Sequence, residues 1–313
     1  MVDKYLSRIE NYHSIQGLKK QSEWEIGRQA TSICLAGSTL YSGTRDGDVF
    51  VYEGSNYIER FFVAPSRIVS MASTPHGTDK KGIVILHEDG TISHVHERQG
   101  HAGKIDGFIN GVIHTDRSWV VSSTDTGVCV FDYNKQSPQY GCAKKQKMQI
   151  SRTQAVETEK KVFAVHPDGN CVLMCDGTAR LFDLRSMREE MEISNIKNIK
   201  AALFHTSRIE MIVSEERTIK TIDIRNVRMI RKIKTKKTAA CLHEYKDGLF
   251  FSGIDMFTRG VCPVTGKSLF VLEASARLIA SDENLALLSP EKVVTIYGEG
   301  IKDRTKNDHQ AES

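Results

Sequence analysis

Apolar and polar residues alternate in short runs along most of the chain. Four of the clearest runs cover residues 49–52, 128–132, 179–183 and 219–223. Alternation with a period of two is typical of a strand that buries one face, and the spacing typical of helices does not recur in these segments. The pattern therefore predicts an all-β protein.

The strand pattern repeats about every forty residues, and each repeat contains a tight polar turn. An Asp-Gly pair between alternating runs indicates a hairpin, which we expect to be of type I′. Successive turns lie 32 to 50 residues apart, with a mean near 41. One four-stranded propeller blade takes about 40–45 residues. The repeat predicts a seven-bladed β-propeller with four antiparallel strands per blade. The predicted turns are Asp46-Gly47, Asp89-Gly90, Thr126-Gly127, Asp176-Gly177, Arg217-Thr218, Arg259-Gly260 and Glu291-Lys292.

The fourth unit shows the repeat most clearly. A turn at residues 166–170 precedes an apolar strand, a second turn follows at residues 176–178, and the unit closes on residues 181–185. The unit resembles the WD-repeat family, with Phe182-Asp183 in place of the family's Trp-Asp pair. Residues 130–132 and 222–225 repeat that position. The resemblance covers roughly residues 23–298 and implies a propeller that serves as a binding platform.

The last unit has room for only three strands before the chain turns polar. An open sheet edge invites aggregation, so the ring must close. Residues 22–26 read as a lone strand before the first blade, and the family resemblance implies that this strand completes the last blade. We therefore divide the chain into an N-terminal extension (1–21), the propeller (22–299) and a disordered polar tail (300–313).

Composition limits the function classes. The 313-residue chain has a formal net charge of +4, too small by itself to indicate nucleic-acid binding. Its seven cysteines follow no repeated spacing, which favours reduced thiols and a cytoplasmic or nuclear protein. No apolar run approaches the ~18 residues that a membrane span needs, so we expect no membrane insertion.

Three groups of residues invite a chemical interpretation. Residues 266–268 lack the spacing of a phosphate-binding loop and precede a strand, so we predict a hairpin turn there. Cys171 and Cys175 form only one cysteine pair, and we predict buried core side chains. His87, His94, His96 and His101 are predicted to belong to a blade edge. We expect no catalytic residues, metal, cofactor or small-molecule substrate.

Two charged motifs remain as candidate partner contacts. The basic ribbon, residues 228–237, carries six cations that we expect to face water: Arg228, Arg231, Lys232, Lys234, Lys236 and Lys237. It predicts either an edge protected by lysines or a contact for RNA or an acidic partner. The second motif is Asp-x-Arg, which ends at Arg185 and again at Arg225. WD-repeat substrate receptors of cullin–RING ubiquitin ligases often carry such paired motifs, although the arginines can simply pair with blade acids.

The sequence favours a non-catalytic scaffold or adaptor that binds one or more proteins in an intracellular multiprotein assembly. Two alternatives stay open. The protein could be an RNA-associated (ribonucleoprotein) assembly factor that uses the basic ribbon, or a ligase substrate receptor that uses Arg185 and Arg225.

Overall fold

A computed structural model describes most of the propeller. It covers residues 17–299 except 75–81, 96–102, 125–126, 134–136, 141–160, 176–177, 187, 195, 197, 206–208, 236, 247, 254–256, 264, 273–275 and 283. The described secondary structure consists of 28 strands in seven sheets, each with four antiparallel strands. The predicted all-β, seven-bladed propeller is confirmed, and this fold is consistent with the WD-repeat resemblance.

The first strand of each blade lies innermost, because these strands contact one another in sequence around the ring. Most of their residues are apolar and half-buried to buried, as expected where every blade packs between two neighbours. The innermost strands are β2 (Ala30–Ala36), β6 (Ile68–Ser73), β10 (Phe108–His114), β14 (Lys161–Val165), β18 (Ala201–Phe204), β22 (Ala239–Tyr245) and β26 (Leu278–Ser281).

The two middle strands of each blade carry most of the buried side chains. The second strands are β3 (Thr39–Thr44), β7 (Ile83–His87), β11 (Trp119–Thr124), β15 (Cys171–Cys175), β19 (Glu210–Ser214), β23 (Gly248–Gly253) and β27 (Leu285–Leu288). The third strands are β4 (Asp48–Glu53), β8 (Thr91–Val95), β12 (Gly127–Asp132), β16 (Ala179–Asp183), β20 (Thr218–Asp223), β24 (Thr258–Val261) and β28 (Val293–Glu299).

The outer strands form the rim of the disc and alternate more strongly between exposed and half-buried positions. They are β1 (Leu18–Glu25), β5 (Asn56–Phe62), β9 (Gly103–Lys104), β13 (Ser137–Tyr140), β17 (Arg188–Ile193), β21 (Arg228–Lys234) and β25 (Ser268–Leu272). We number the blades by their innermost strands, from blade one (β2–β5) to blade seven (β26–β28 with β1). Two kinds of connection share one face of the disc, which we call the entry face. One kind leads from the outer strand of a blade to the innermost strand of the next blade, and the other leads from the second to the third strand within a blade.

The N-terminal strand closes the ring, as predicted. β1 pairs antiparallel with β28, with Glu23 opposite Thr295 and Trp24 opposite Val294. The strand begins at Leu18, four residues before the predicted start at Ser22, and Ile26 lies just outside it. Ile26 is 1% exposed and packs in a cluster formed by blades seven and one. The N-terminal segment therefore closes the ring in two ways: β1 pairs with β28, and Ile26 adds a buried side chain to the core.

The turn predictions hold in part. Gly47 and Gly90 have φ of +85° and +82°, but Asp46 and Asp89 are not left-handed, so these turns are not of type I′. Arg259 and Gly260 lie inside β24, so the predicted turn there is wrong. A Cβ at Gly260 would lie 2.9 Å from the Phe250 ring, so this glycine makes room for an aromatic side chain instead of reversing the chain. Gly266 is left-handed in the predicted β24–β25 hairpin turn.

Three buried histidines link successive blades on the face opposite the entry face. His114 Nε2 donates to the carbonyl oxygens of His166 and Pro167, each at 3.0 Å, and its Nδ1 accepts from the Arg117 amide. The His166 ring makes an edge-on contact with Phe204, with centroids 5.3 Å apart. His205 Nε2 lies 3.3 Å from a carboxylate oxygen of Glu244. Blades three to six are thus joined by polar and aromatic contacts as well as by apolar packing.

Candidate functional site

Arg185 and Arg225 each form a local pair with the aspartate two residues earlier. Arg225 donates through Nε and Nη2 to the Asp223 carboxylate at 3.0 and 2.6 Å, and Arg185 donates to Asp183 in the same way at 3.4 and 3.1 Å. Hydrogen bonds from Arg225 lower the pKa of Asp223 to about 2. Each motif therefore has a structural role in the turn after a third strand. Both arginine side chains stay about two-thirds exposed, and the adaptor contact remains a prediction.

The basic ribbon lies on the rim of blade five, where β21 is the outer strand. Arg228, Lys232 and Lys234 are exposed, as is Lys237 beyond the strand. Arg231 differs from the expectation because it is half-buried and donates to the Pro263 carbonyl oxygen of blade six. Lys236 lies outside the described residues, as does a smaller group of lysines in the sequence, Lys144, Lys145 and Lys147. The structure thus leaves a smaller exposed ribbon, in which Met229 and Ile230 are also exposed.

The cysteine and histidine candidates occupy structural positions. Both Cys171 and Cys175 belong to β15: Cys175 is buried in a core cluster, as predicted, whereas Cys171 is half-buried against that cluster. The predicted blade-edge position is wrong for His87 and His94, which belong to the middle strands β7 and β8. His87 is buried and its Nδ1 lies 3.0 Å from the Ser66 carbonyl oxygen, whereas His94 contacts the Tyr133 ring. His96 and His101 lie outside the described residues. Within the described ranges, no group of three or more His, Cys, Asp or Glu side chains could hold a metal ion.

A cluster of cations that sequence reasoning did not predict surrounds a pocket on the entry face. The pocket has a volume of about 420 Å³ and lies between blades seven, one and two. We call it the basic pocket. Its cationic lining residues are Arg28, Arg45, Arg67, Arg277 and Lys292. Asp46 is the one acidic residue of the lining, so the pocket has an excess of positive charge.

The acids near the basic pocket neutralise only part of this charge. Arg28 lies 3.7 Å from Asp46 and 4.0 Å from Asp48, and Arg67 lies 3.9 Å from Glu88. Asp48 is already held by a bidentate hydrogen bond from Arg60. Among the described residues, no carboxylate lies within ion-pair distance of the other three cations, which are Arg45, Arg277 and Lys292. Their charges remain available to a ligand.

Backbone hydrogen bonds fix the segments that carry these cations. The Ile26 amide donates to the Lys292 carbonyl oxygen at 2.9 Å, and the Arg277 amide donates to that of Leu288 at 2.7 Å. Beside Arg45, the Val63 amide donates to the Gly47 carbonyl oxygen at 3.1 Å. A Cβ at Gly47 would lie 1.7 Å from the Ala64 carbonyl oxygen, which shows how closely this turn packs against the next loop. Backbone contacts of the fold therefore hold the loops from which the pocket's cationic side chains project.

The sequence contains no motif that marks the basic pocket, because its five cations come from five separate connections between strands. Arg28, Arg67 and Arg277 precede the innermost strands of three blades, whereas Arg45 and Lys292 lie in turns between second and third strands. Both kinds of connection lie on the entry face. The available signal was the recurrence of Arg or Lys at these blade junctions, which becomes meaningful only when ring closure brings blade seven beside blade one.

The innermost strands surround a second cavity of about 390 Å³. His243 of β22 and Ser281 of β26 line it, with His243 Nε2 2.7 Å from Ser281 Oγ. Burial lowers the pKa of His243 to about 4. The imidazole is therefore neutral at physiological pH, and its hydrogen bond joins blades six and seven across the cavity.

No protein-family model matches the chain, and a comparison with curated proteins found no significant match. Within the described ranges, no helix has the length and apolar character needed to cross a membrane. A β-propeller is commonly a scaffold for protein interactions, and the function of this one has to be argued from its own surface.

Proposed function

We propose that the protein is a non-catalytic scaffold of a multiprotein assembly, and that the basic pocket is its main contact for an acidic partner. The observation that carries this proposal is a set of three cations on the entry face, Arg45, Arg277 and Lys292, that have no carboxylate partner among the described residues. Their mutual repulsion disfavours the folded protein, and an acidic partner would remove that repulsion.

The contact with the acidic partner would draw on charge and shape together. Arginine is well suited to such contacts, because its planar guanidinium can bind a carboxylate or phosphate through two parallel hydrogen bonds. A stable interface buries about 800 Å² on each partner, so the partner must extend beyond the pocket across the neighbouring loops. The entry face offers such loops from every blade.

An enzyme is the less favoured function class. A serine with a nearby histidine, such as Ser281 and His243, is one part of a hydrolytic site, but catalysis needs a base whose pKa lies near the working pH. The pKa of His243, about 4, makes it a weak base at neutral pH. The pair is better explained as a link between two blades. We further propose that the scaffold works in the cytoplasm or nucleus, where its free thiols would stay reduced.

Size-exclusion chromatography of cell extract tests the scaffold proposal. The tagged protein should elute in a complex far heavier than its own 35.1 kDa. The double variant R45E/R277E should elute at the monomer position, with a melting temperature no lower than that of wild type. The matched control is K232E/K234E, which makes the same charge change on the blade-five rim and should stay in the complex. A wild-type protein that elutes as a monomer would refute the proposal.

RNA association through the basic ribbon is a second candidate, favoured by the exposed lysines Lys232 and Lys234. Aromatic side chains for base stacking are lacking in residues 228–237, which weakens it. In the same experiment, RNA association predicts that K232E/K234E leaves the complex, that R45E/R277E does not, and that ribonuclease treatment dissolves the complex.

A further inference from the structure

We propose that the basic pocket recognises a phosphate monoester, namely the phosphorylated side chain of a partner protein. This inference rests on the proposed scaffold function and specifies the chemistry of its contact. The pocket lining carries a net of four positive charges when Asp46 is counted. A phosphorylated serine or threonine carries a charge of about −1.5 to −2 at pH 7 and three strong acceptor oxygens. A carboxylate carries only one negative charge.

Geometry favours one compact dianion over a long polyanion. A sphere of 420 Å³ would be about 9 Å across, comparable with the Debye length of about 10 Å at 0.1 M salt, so a single small anion in the pocket would feel all of the lining cations. A nucleic acid instead presents single charges along an extended backbone, and proteins that bind it combine a long basic groove with stacking aromatics. The lining of the pocket contains no aromatic residue. The site therefore fits one phosphoryl group better than a nucleic-acid strand.

The donors also suit a phosphoryl group. Arg45 and Arg277 present guanidinium groups that no described acid engages, from two loops that belong to different blades. Two such groups can hold one phosphate from both sides through charge-assisted hydrogen bonds. Thr31 and Thr44 also line the pocket, but their hydroxyls already donate to the carbonyl oxygens of Ile68 and Asp48. Selectivity for a dianion would therefore come from the arginines and Lys292.

A peptide-retention assay tests this inference. The full-length protein is passed over an immobilised library of peptides with phosphoserine at a fixed position and mixed flanking residues, and over the same library with unmodified serine or with glutamate. We expect at least tenfold stronger retention on the phosphoserine library than on either of the others. Free O-phosphoserine should compete, because it offers the same phosphoryl group.

Conservative variants identify the residues responsible. R45Q/R277Q removes two charges without introducing acids and should reduce phosphoserine retention at least tenfold. K232Q/K234Q makes the same change on the basic ribbon and should leave retention within twofold of wild type. Equal melting temperatures for the two variants would exclude unfolding as the cause.

The other outcomes overturn the inference. Equal retention on the glutamate library would indicate a general acidic contact. Binding to anionic lipid vesicles or to single-stranded RNA in preference to phosphoserine would assign the pocket to a different ligand class. If none of the libraries retains the protein while R45E/R277E still leaves the complex in extract, the phosphate inference fails and the scaffold proposal stands. Conversely, if the wild-type protein elutes from extract as a monomer but binds phosphoserine, the scaffold proposal fails and the phosphate inference stands.

Discussion

Replacement of Ile26 by alanine should destabilise the closed ring by several kilocalories per mole. Ile26 is 1% exposed, and it contacts side chains from both sides of the joint between blades seven and one. The substitution removes three buried carbon atoms, each contributing about 0.8 kcal/mol of transfer free energy. The cavity left behind adds to this loss, so the expected decrease in unfolding free energy is about 2–5 kcal/mol. Ile26→Val should cost only about 0.5–1.5 kcal/mol.

Urea unfolding monitored by tryptophan fluorescence would measure these differences, since Trp24 packs against the same cluster as Ile26. The matched control is Ile58→Ala on the outer strand β5, where the isoleucine is 51% exposed. This control should change the unfolding free energy by less than about 1 kcal/mol, the span of strand propensities. The reasoning is refuted if Ile26→Ala is no more destabilising than Ile58→Ala, because the joint would then not depend on packing of the closing segment.

Three further predictions concern the rim of blade five and the cavity that His243 lines. K232E/K234E should leave the unfolding free energy within about 0.5 kcal/mol of wild type, because exposed charges contribute little; Arg231→Ala should cost about 1 kcal/mol in urea unfolding, because it removes the hydrogen bond to Pro263. The folded-state pKa of His243 lies below its unfolded value, so the unfolded chain binds more protons and stability falls as pH drops from about 6.5 toward 4. Between pH 6.5 and 4, the unfolding free energy of wild type should therefore fall more steeply than that of His243→Gln, by up to about 1.4 kcal/mol per pH unit. Parallel pH profiles of the two proteins would contradict the lowered pKa of His243.

Local sequence signals predicted the blades because each blade is a local structure. The strands of blades one to six pair with near neighbours in the chain, and the turns at Gly47 and Gly90 carry the left-handed glycines that such reversals need. The prediction failed at Gly260, where glycine sits in a strand beside Phe250. A single sequence does not distinguish a glycine needed for backbone conformation from one needed for space.

The candidate site was only partly predictable, because function here depends on residues that are distant in the chain. The Asp-x-Arg motifs were visible, and their local pairing follows from a separation of two residues. The basic pocket joins Arg45 to Arg277, whose proximity exists only after the ring closes. Arg231 illustrates the same limit. It donates to the buried Pro263 carbonyl oxygen of the next blade, and the apolar and polar pattern of β21 does not indicate this contact.

The pairing of β1 with β28 also has a consequence for how the protein is made. Glu23 and Thr295, which face each other in this pair, are 272 positions apart. At a synthesis rate of about 5–20 residues per second, roughly 14–54 s pass between the synthesis of Glu23 in β1 and that of Thr295 in β28. Closing so long a loop in an unfolded chain costs about 4 kcal/mol more than closing a four-residue hairpin, but blades that have already packed bring the two strands together. Blades one to six can therefore fold during translation, while β1 stays exposed to chaperones, proteases and other unpaired strands until β28 has been made.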